Sequence, residues 1–348
     1  MTVTRAARVA FLAPSLGLEH GFYDVFTDVM KAAAGQLGIA LQVVDCGKSA
    51  ARMLESGSAL AQSARRPDYV LLPDYLGTGQ QLLPVLDGAG LRVLVLAEGF
   101  SRGARATLGE PRLKHRNWLG EILPDDTQAG YLLARTLTRA ARKRRTAEHP
   151  KVHVGILSGD QSSAGLARFR GWARLKAEAP DVEQASFQYA AWERDTARSA
   201  AALMLRSRAE IDVIWAANDA MALGALDAVR DAGRAPGKDV LLGGIDLSYE
   251  ALVATDEGSL TVSIGGHFLD GARAILLVHD HHHGLDFEPW SRRSPLVSAT
   301  PENAGPYCRF VESRAWRAVD FTRFSRARNS GAPTPDFSLE SLVQQPRP

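Results

Sequence analysis

Short apolar runs alternate with amphipathic stretches along most of the chain. Residues 9–13 (Val9, Ala10, Phe11, Leu12, Ala13) form an uninterrupted apolar run, the pattern of a parallel strand buried on both faces. Behind it Phe22, Val25, Phe26, Val29, Met30, Ala33 and Leu37 recur at i, i+3, i+4, i+7 and predict an amphipathic helix that Gly38 closes. Strands are expected again at 41–44, 69–72 and 92–96, with helices around 50–64 and 79–88. The grammar then restarts: strand 151–157, helix 164–179, strand 185–190, helix 195–206, strand 212–216, helix 219–232 and strand 240–242. Each series is β-α-β and predicts a parallel sheet with helices on both faces.

Two such series in 348 residues predict an α/β protein of two Rossmann-like lobes with parallel sheets rather than one large sheet. The expected lobes are 1–123 with about 265–290, and 124–264 with about 291–300, joined by a multi-segment hinge. The stretch 101–124, rich in Gly and Arg, reads as the passage between them. Residues 301–348 form an extension, with one or two short helices carrying Trp316, Phe321 and Phe324 before disorder toward Pro346, Arg347 and Pro348. In sheets of this kind ligands meet the loops at the carboxyl ends of the strands. Those loops are 14–21, 73–77, 97–101, 158–165, 191–194, 217–219 and 243–247, and they combine glycines with aromatic and charged residues.

Composition adds exclusions. Apolar residues make up 45% and charged residues 23%, which rules out disordered and collagen-like classes. Lys and Arg total 41 against 39 acidic residues, so the net charge of +2 gives no electrostatic argument for a nucleic-acid partner. The run Arg142, Lys143, Arg144, Arg145 reads as a solvated last helical turn that complements the helix dipole. No apolar stretch reaches the ~18 residues of a membrane span. Arg5 and Arg8 before residues 9–13 imitate the start of an export signal, but the apolar run is too short and Pro14 breaks it, so residues 9–13 read as the first strand.

Cys46 and Cys308 lie too far apart in sequence for a CxxC or zinc motif, and a disulfide between them stays open. The cluster His279, Asp280, His281, His282, His283 invites a metal, but only His279 and His283 share a helix face; a solvated helix end before Gly284 is the expected reading, with no metal and no cofactor. Residues 155–165 have the composition of a phosphate cradle without its lysine or its glycine spacing, and no GxSxG elbow occurs. Glu98, Asp74, Asp246 and His267 include the residue types of a glycosidase pair, but their spacing selects no such chemistry.

Three segments carry a resemblance. Residues 216–226 (Ala-Ala-Asn-Asp-Ala-Met-Ala-Leu-Gly-Ala-Leu), Gly243-Gly244-Ile245-Asp246, and Arg168-Phe169-Arg170-Gly171-Trp172 within residues 165–172 fall in order at predicted strand ends. Over roughly residues 8–300 the chain resembles the periplasmic sugar-binding proteins of ABC transporters, of the ribose-binding type with the type I periplasmic-binding-protein fold. The resemblance implies a periplasmic, non-enzymatic protein that closes on a small sugar-like ligand and delivers it to an ABC permease. It implies that Phe22 and Tyr23 stack on the sugar, that Glu98 accepts from hydroxyls, and that Arg168 donates from the second lobe. Trp192 would give a second stacking face and Asn218 and Asp246 would complete the polar ring, with Asp74 a further candidate. Where the family often carries a glutamine the chain has Ile264, so that contact is lost or taken over by His267.

Each candidate also has a plainer role: Phe22 and Tyr23 as core, Arg168 as a surface ion-pair partner, Asn218 as a helix cap, Asp246 as a turn residue. If the cleft is the site, Arg168→Ala is expected to abolish ligand-induced stabilisation and leave unliganded stability nearly unchanged; a large fall marks Arg168 as structural. A ligand-sensing receptor of the same fold that signals to a histidine kinase or another sensor protein is the alternative function, and an enzyme acting on a carbohydrate is the third. A DNA-binding regulator of the lactose-repressor type shares the fold, but the first strand starts near residue 8 and leaves no room for a helix-turn-helix.

Overall fold

The computed structural model describes residues 5–17, 21–207, 210–329, 333 and 335–344. They fall into two compact units: Met1–Pro124 with His267–Pro295 and Trp316–Pro348, and Asp125–Gly266 with Leu296–Ala315. Each unit is built on its own six-stranded sheet.

In the first unit, β1 (Arg8–Ala13), β2 (Ala40–Asp45), β3 (Tyr69–Leu72), β4 (Arg92–Leu96) and β5 (Trp118–Pro124) alternate with α1 (Phe22–Gln36), α2 (Ala50–Gln62), α3 (Thr78–Gly88) and α4 (Arg102–Leu108). All strand pairings here are parallel. Residues 8–13 pair with 40–45 on one side and 69–71 on the other, which explains why the run after Arg8 is almost wholly apolar. The second unit repeats the scheme with β6 (Val152–Ser158), β7 (Val182–Tyr189), β8 (Val213–Ala216), β9 (Leu241–Asp246) and β10 (Val262–Gly265). Their partners are α5 (Asp126–Arg142), α6 (Ser163–Glu178), α7 (Arg194–Ser207), α8 (Asp219–Asp231) and α9 (Tyr249–Asp256). The chain then returns to the first unit for α10 (Asp270–His282) and β11 (Ser291–Ser294), and to the second for β12 (Val297–Ala299) and α11 (Ala304–Glu312), before α12 (Leu339–Gln344). The sheet orders are β11-β5-β4-β3-β1-β2 and β12-β10-β9-β8-β6-β7.

Four expectations are corrected. The stretch 101–124 is not an irregular passage: it contains α4 and the fully buried β5. Its glycines and arginines disguised it, because Arg105 lays its guanidinium over Trp118 and pairs with the buried Glu121. Not every strand is parallel, since β12 pairs antiparallel with β10. The tail is not one extension. Its α11 buries Tyr307, Phe310 and Val311 in the second unit, while Trp316, Phe321 and Phe324 are buried in the first. The terminal residues expected to be disordered, 346–348, lie outside the described residues.

The fourth correction concerns the helix ends. Arg142 and Arg145 make two-pronged pairs with Asp181 and Asp212, and Arg144 donates to the carbonyls of Gly237 and Lys238, so most of the run is paired within the lobe. The histidine-rich end of α10 is solvated only at its tip, where His283 is exposed and His281 and His282 are partly so. His279 and Asp280 are buried beneath residues 325–327. Asp280 accepts from the Ser325 hydroxyl (2.7 Å) and from the amides of Arg326 (3.0 Å) and Ala327 (3.1 Å). Burial works against the charge of Asp280, but His279 and these donors outweigh it and hold its pKa below the ordinary carboxylate value. Asp280→Ala strips three donors of their acceptor at once and is expected to lower stability by about 2–4 kcal/mol. Limited trypsinolysis is expected to cut first beside Arg326 in that variant, and an unchanged cleavage pattern contradicts the assignment.

Candidate functional site

The carboxyl ends of both sheets carry backbone that ordinary residues rarely adopt. Of nine non-glycine residues with positive φ among the described residues, Ala97, Ala191, Trp192, Asp246 and Leu247 sit where β4, β7 and β9 end. Such conformations cost about 1–3 kcal/mol each and persist only where the surroundings over-determine them. They therefore mark the loops in which side-chain direction is fixed.

In the first lobe four candidates come together. Phe22, the first residue of α1, lies 4.8 Å from the ring of His267 and 5.2 Å from that of Tyr23, centroid to centroid. The Tyr23 hydroxyl donates to Glu98 Oε1 at 3.2 Å. His267 is buried, whereas Phe22, Tyr23 and Glu98 keep partial exposure. An aromatic surface beside a carboxylate matches a sugar, which has weakly apolar faces and a hydroxyl edge. The loop 14–21 contributes Gly17, whose amide donates to Asp24; residues 18–20 of that loop lie outside the described residues.

Asp74 is placed differently. Its carboxylate turns into the start of α3 and accepts from the Gln80 amide at 2.9 Å, and only 7% of the residue is exposed. Burial pushes its pKa up to about 6, against the amides of Gln80 and Gly79, which favour the charged form. The native carboxyl therefore holds a proton that the unfolded chain has released between about pH 4 and 6. Its contribution to stability is present below that window and is lost as the pH rises through 6. Asp74→Asn keeps the acceptor for Gln80 and removes the buried charge. Urea unfolding from pH 4 to 7 is expected to show a flatter fall in stability for the variant than for the parent; parallel profiles contradict this.

In the second lobe Arg168, Trp192, Asn218 and Asp246 converge. The Arg168 guanidinium, on α6, donates through Nε to Asp126 Oδ1 (2.8 Å) and through one terminal nitrogen to the Ala217 carbonyl (2.6 Å) and Asp246 Oδ1 (3.4 Å). It lies 5.4 Å from the centre of the Trp192 ring, within cation-π range. Burial works against its charge, but Asp126 and Asp246 outweigh that and raise its pKa above the ordinary arginine value. Only 6% of Arg168 is exposed. The expectation that Arg168→Ala spares unliganded stability therefore gives way: Arg168 is part of the frame of this lobe. Asn218 caps α8 through Met221 N (2.9 Å), while its amide nitrogen donates to the Trp192 carbonyl (3.3 Å). Trp192 stands against Gly159, where a Cβ would fall 2.1 Å from the indole.

Two residues of this half-site escaped the sequence reading. Asp126 lies in the capping sequence Asp125-Asp126, where a carboxylate needs no further explanation than the helix N-terminus. Asp219 lies inside the most specific of the three motifs, next to Asn218, and its burial was the missing information. Among the described residues no group of three or more His, Cys, Asp or Glu is arranged to hold a metal, and Cys46 and Cys308 are free thiols. No helix among them is long and apolar enough to cross a membrane.

Two lobes, each with a parallel-dominated sheet and a polar-aromatic set at its strand ends, define the type I periplasmic-binding-protein fold. Residues 120–277 match the family model described as "Periplasmic binding protein domain". The galactofuranose-binding protein YtfQ of Escherichia coli is 21% identical over 253 residues, 72% of this chain and 74% of that protein. A periplasmic sugar-binding protein from Pseudomonas fluorescens superposes with a TM-score of 0.87 at 28% identity, covering 97% of this chain and 100% of its own. An ABC transporter periplasmic solute-binding protein from Actinobacillus succinogenes, solved with bound D-allose, gives a TM-score of 0.73 at 23% identity, over 86% and 99% of the two chains. The chain is a relative of the sugar-binding periplasmic proteins of ABC transporters. These relatives are named for binding a solute and not for a reaction.

Proposed function

We propose that the chain is a solute-binding protein that captures one small sugar-like ligand by hinge closure of its lobes and delivers it to an ABC permease in the periplasm. The observation that carries the reading is the second-lobe cluster. A buried guanidinium fixed by Asp126 and Asp246, beside the Trp192 ring, presents directed donors and acceptors that need no reorganisation when a polyhydroxylated ring arrives. The first lobe supports it with the Phe22 and Tyr23 rings beside Glu98 and with His267. In the second set both carboxylates are engaged by the Arg168 guanidinium, and the similar proteins are named for binding a solute and not for a reaction. The relatives narrow the class: one is named for galactofuranose and another holds D-allose.

A thermal-shift panel of D-galactose, D-allose, D-ribose, L-arabinose, xylitol and myo-inositol tests the proposal. A true ligand at one hundred times its Kd stabilises the folded chain by about 2.7 kcal/mol, a plainly visible rise in Tm. A saturable rise with one or a few closely related sugars supports the reading. No rise with any sugar or polyol at millimolar concentration opposes it.

A further inference from the structure

The most deeply buried carboxylate near the second half-site belongs to a residue with no ligand role assigned above. Asp219 opens α8 and is 1% exposed. Its two oxygens accept from the Ser263 hydroxyl of β10 at 2.8 and 2.9 Å, and Oδ2 also accepts from the Ser248 amide at 2.8 Å. The Ser263 oxygen in turn accepts from the Leu247 amide at 3.2 Å. Asp219 and its serine thus hold the two amides that follow Asp246.

That turn needs holding. Asp246 has φ 136° and Leu247 has φ 58°, two successive non-glycine residues in the left-handed half of conformational space. Without fixed acceptors for the next amides, the backbone gains by relaxing to ordinary angles. The Asp246 carboxylate, which meets Arg168 at 3.4 Å, moves with it.

We propose that Asp219 is a positioning residue for ligand binding: through Ser263 and the Ser248 amide it locks the strained Asp246–Leu247 turn and so sets the Asp246 carboxylate against Arg168. It does not touch the ligand itself. The inference rests on the sugar-binding reading for its effect on affinity, but not for its effect on the turn.

The arrangement makes the lock sensitive to protons. Burial, followed by the charge of Asp246, pushes the Asp219 carboxyl up to about 7, while the Ser248 amide and the Ser263 hydroxyl oppose the rise. The charged groups around it are Asp246 at the end of β9, Arg168 on α6 beyond Asp246, and Asp126 on α5 behind Arg168. β10 and the start of α9 contribute only Ser263 and Ser248. An ionised Asp219 accepts from both serines. A protonated one turns an oxygen into a donor facing donors, and the turn loosens. Ligand affinity is therefore expected to fall as pH drops from 8 to 6. Unliganded stability has the opposite sign: the native carboxyl holds a proton the unfolded chain lacks, so its contribution is lost as pH rises through about 7.

Asp219→Asn separates this role from a structural one. An amide nitrogen in place of one oxygen faces the Ser248 N–H or the Ser263 O–H with a donor. Ser263→Ala removes the relay while leaving Asp219 in place. Two readouts are taken from pH 6 to 8: calorimetric affinity for D-allose and D-galactose, and hydrogen exchange of the peptide spanning 243–250 in the unliganded full chain. For Asp219→Asn the expected result is at least a tenfold loss of affinity at pH 8 and a pH-independent affinity. Exchange at Leu247 and Ser248 should be at least tenfold faster, with protection elsewhere in the second lobe unchanged. Ser263→Ala should show the faster exchange at Leu247, whose acceptor it removes, and a smaller change at Ser248, which donates to Asp219 directly. Unchanged exchange at these two amides overturns the proposal, and so does a uniform loss of protection across the lobe, the mark of a merely structural residue. If the parent binds neither sugar the sugar reading for these probes fails, and the exchange of the two amides alone decides the role of Asp219.

Discussion

Arg168→Ala is expected to lower the unliganded stability of the chain by about 3–5 kcal/mol and to remove the rise in Tm that the cognate sugar produces. The first effect follows from what the truncation leaves behind. Asp126 and Asp246 lose their shared counter-charge, and the Ala217 carbonyl loses a donor at 2.6 Å. Breaking a buried ion pair from one side is the severe case, because the remaining charge stays desolvated and unpaired. The second effect follows from the proposed function, in which the same guanidinium donates to the ligand. Arg168→Lys keeps the charge but not the planar fork, so it is expected to recover part of the stability and little of the binding. Urea unfolding with and without ligand separates the two effects. A stability loss below about 1 kcal/mol contradicts the buried network.

The second large effect concerns two glycines that let α5 and α6 meet backbone to backbone. A Cβ on Gly130 would fall 2.0 Å from the carbonyl oxygen of Arg168, and one on Gly171 would fall 2.2 Å from that of Thr127. Neither obstacle is a flexible side-chain tip, so the helices must separate. Gly130→Ala is expected to destabilise the chain by about 1–3 kcal/mol, and Gly130→Val by more. Trp215, wholly buried, donates to the Gly130 carbonyl at 3.2 Å and resists the shift. Displacing α6 also moves Arg168, so ligand affinity should fall further than stability alone explains. Gly35→Ala on α1, where a Cβ meets nothing within 4 Å, is the control and should gain about 0.4–1 kcal/mol. Equal behaviour of the two variants in urea unfolding contradicts the close-packing argument.

The alternation of apolar runs and amphipathic stretches made most of the fold legible. Residues 69–72 and 92–96 are strands with the expected bounds, and helices such as α3, α6 and α8 differ from expectation by a residue or so at their ends. What escaped were elements whose burial is supplied by distant chain. β5 carries Trp118, Gly120 and Glu121, an unpromising strand until Arg105 and Ser291 satisfy the carboxylate. β11 is Ser291-Arg292-Arg293-Ser294, polar throughout, and owes its place to pairing with β5. Periodicity cannot report partners that lie 170 positions away.

The candidate site was legible in kind more than in detail. Motif and strand-end position named Arg168, Asn218 and Asp246, and the structure brings them together with Trp192. The sequence does not say that Arg168 is buried, that Asp74 faces the start of α3, or that Asp219 is the carboxylate beneath the turn. Those facts depend on which oxygen meets which amide, and that is settled by tertiary packing.

Native mass spectrometry of the chain with the sugar that gives the largest rise in Tm tests the central claim most directly. The account predicts a single 1:1 complex from which the sugar is released with its mass unchanged after prolonged incubation. Absence of a complex, a complex with several sugars per chain, or release of a sugar of altered mass would contradict a protein that binds one ligand and does no chemistry on it.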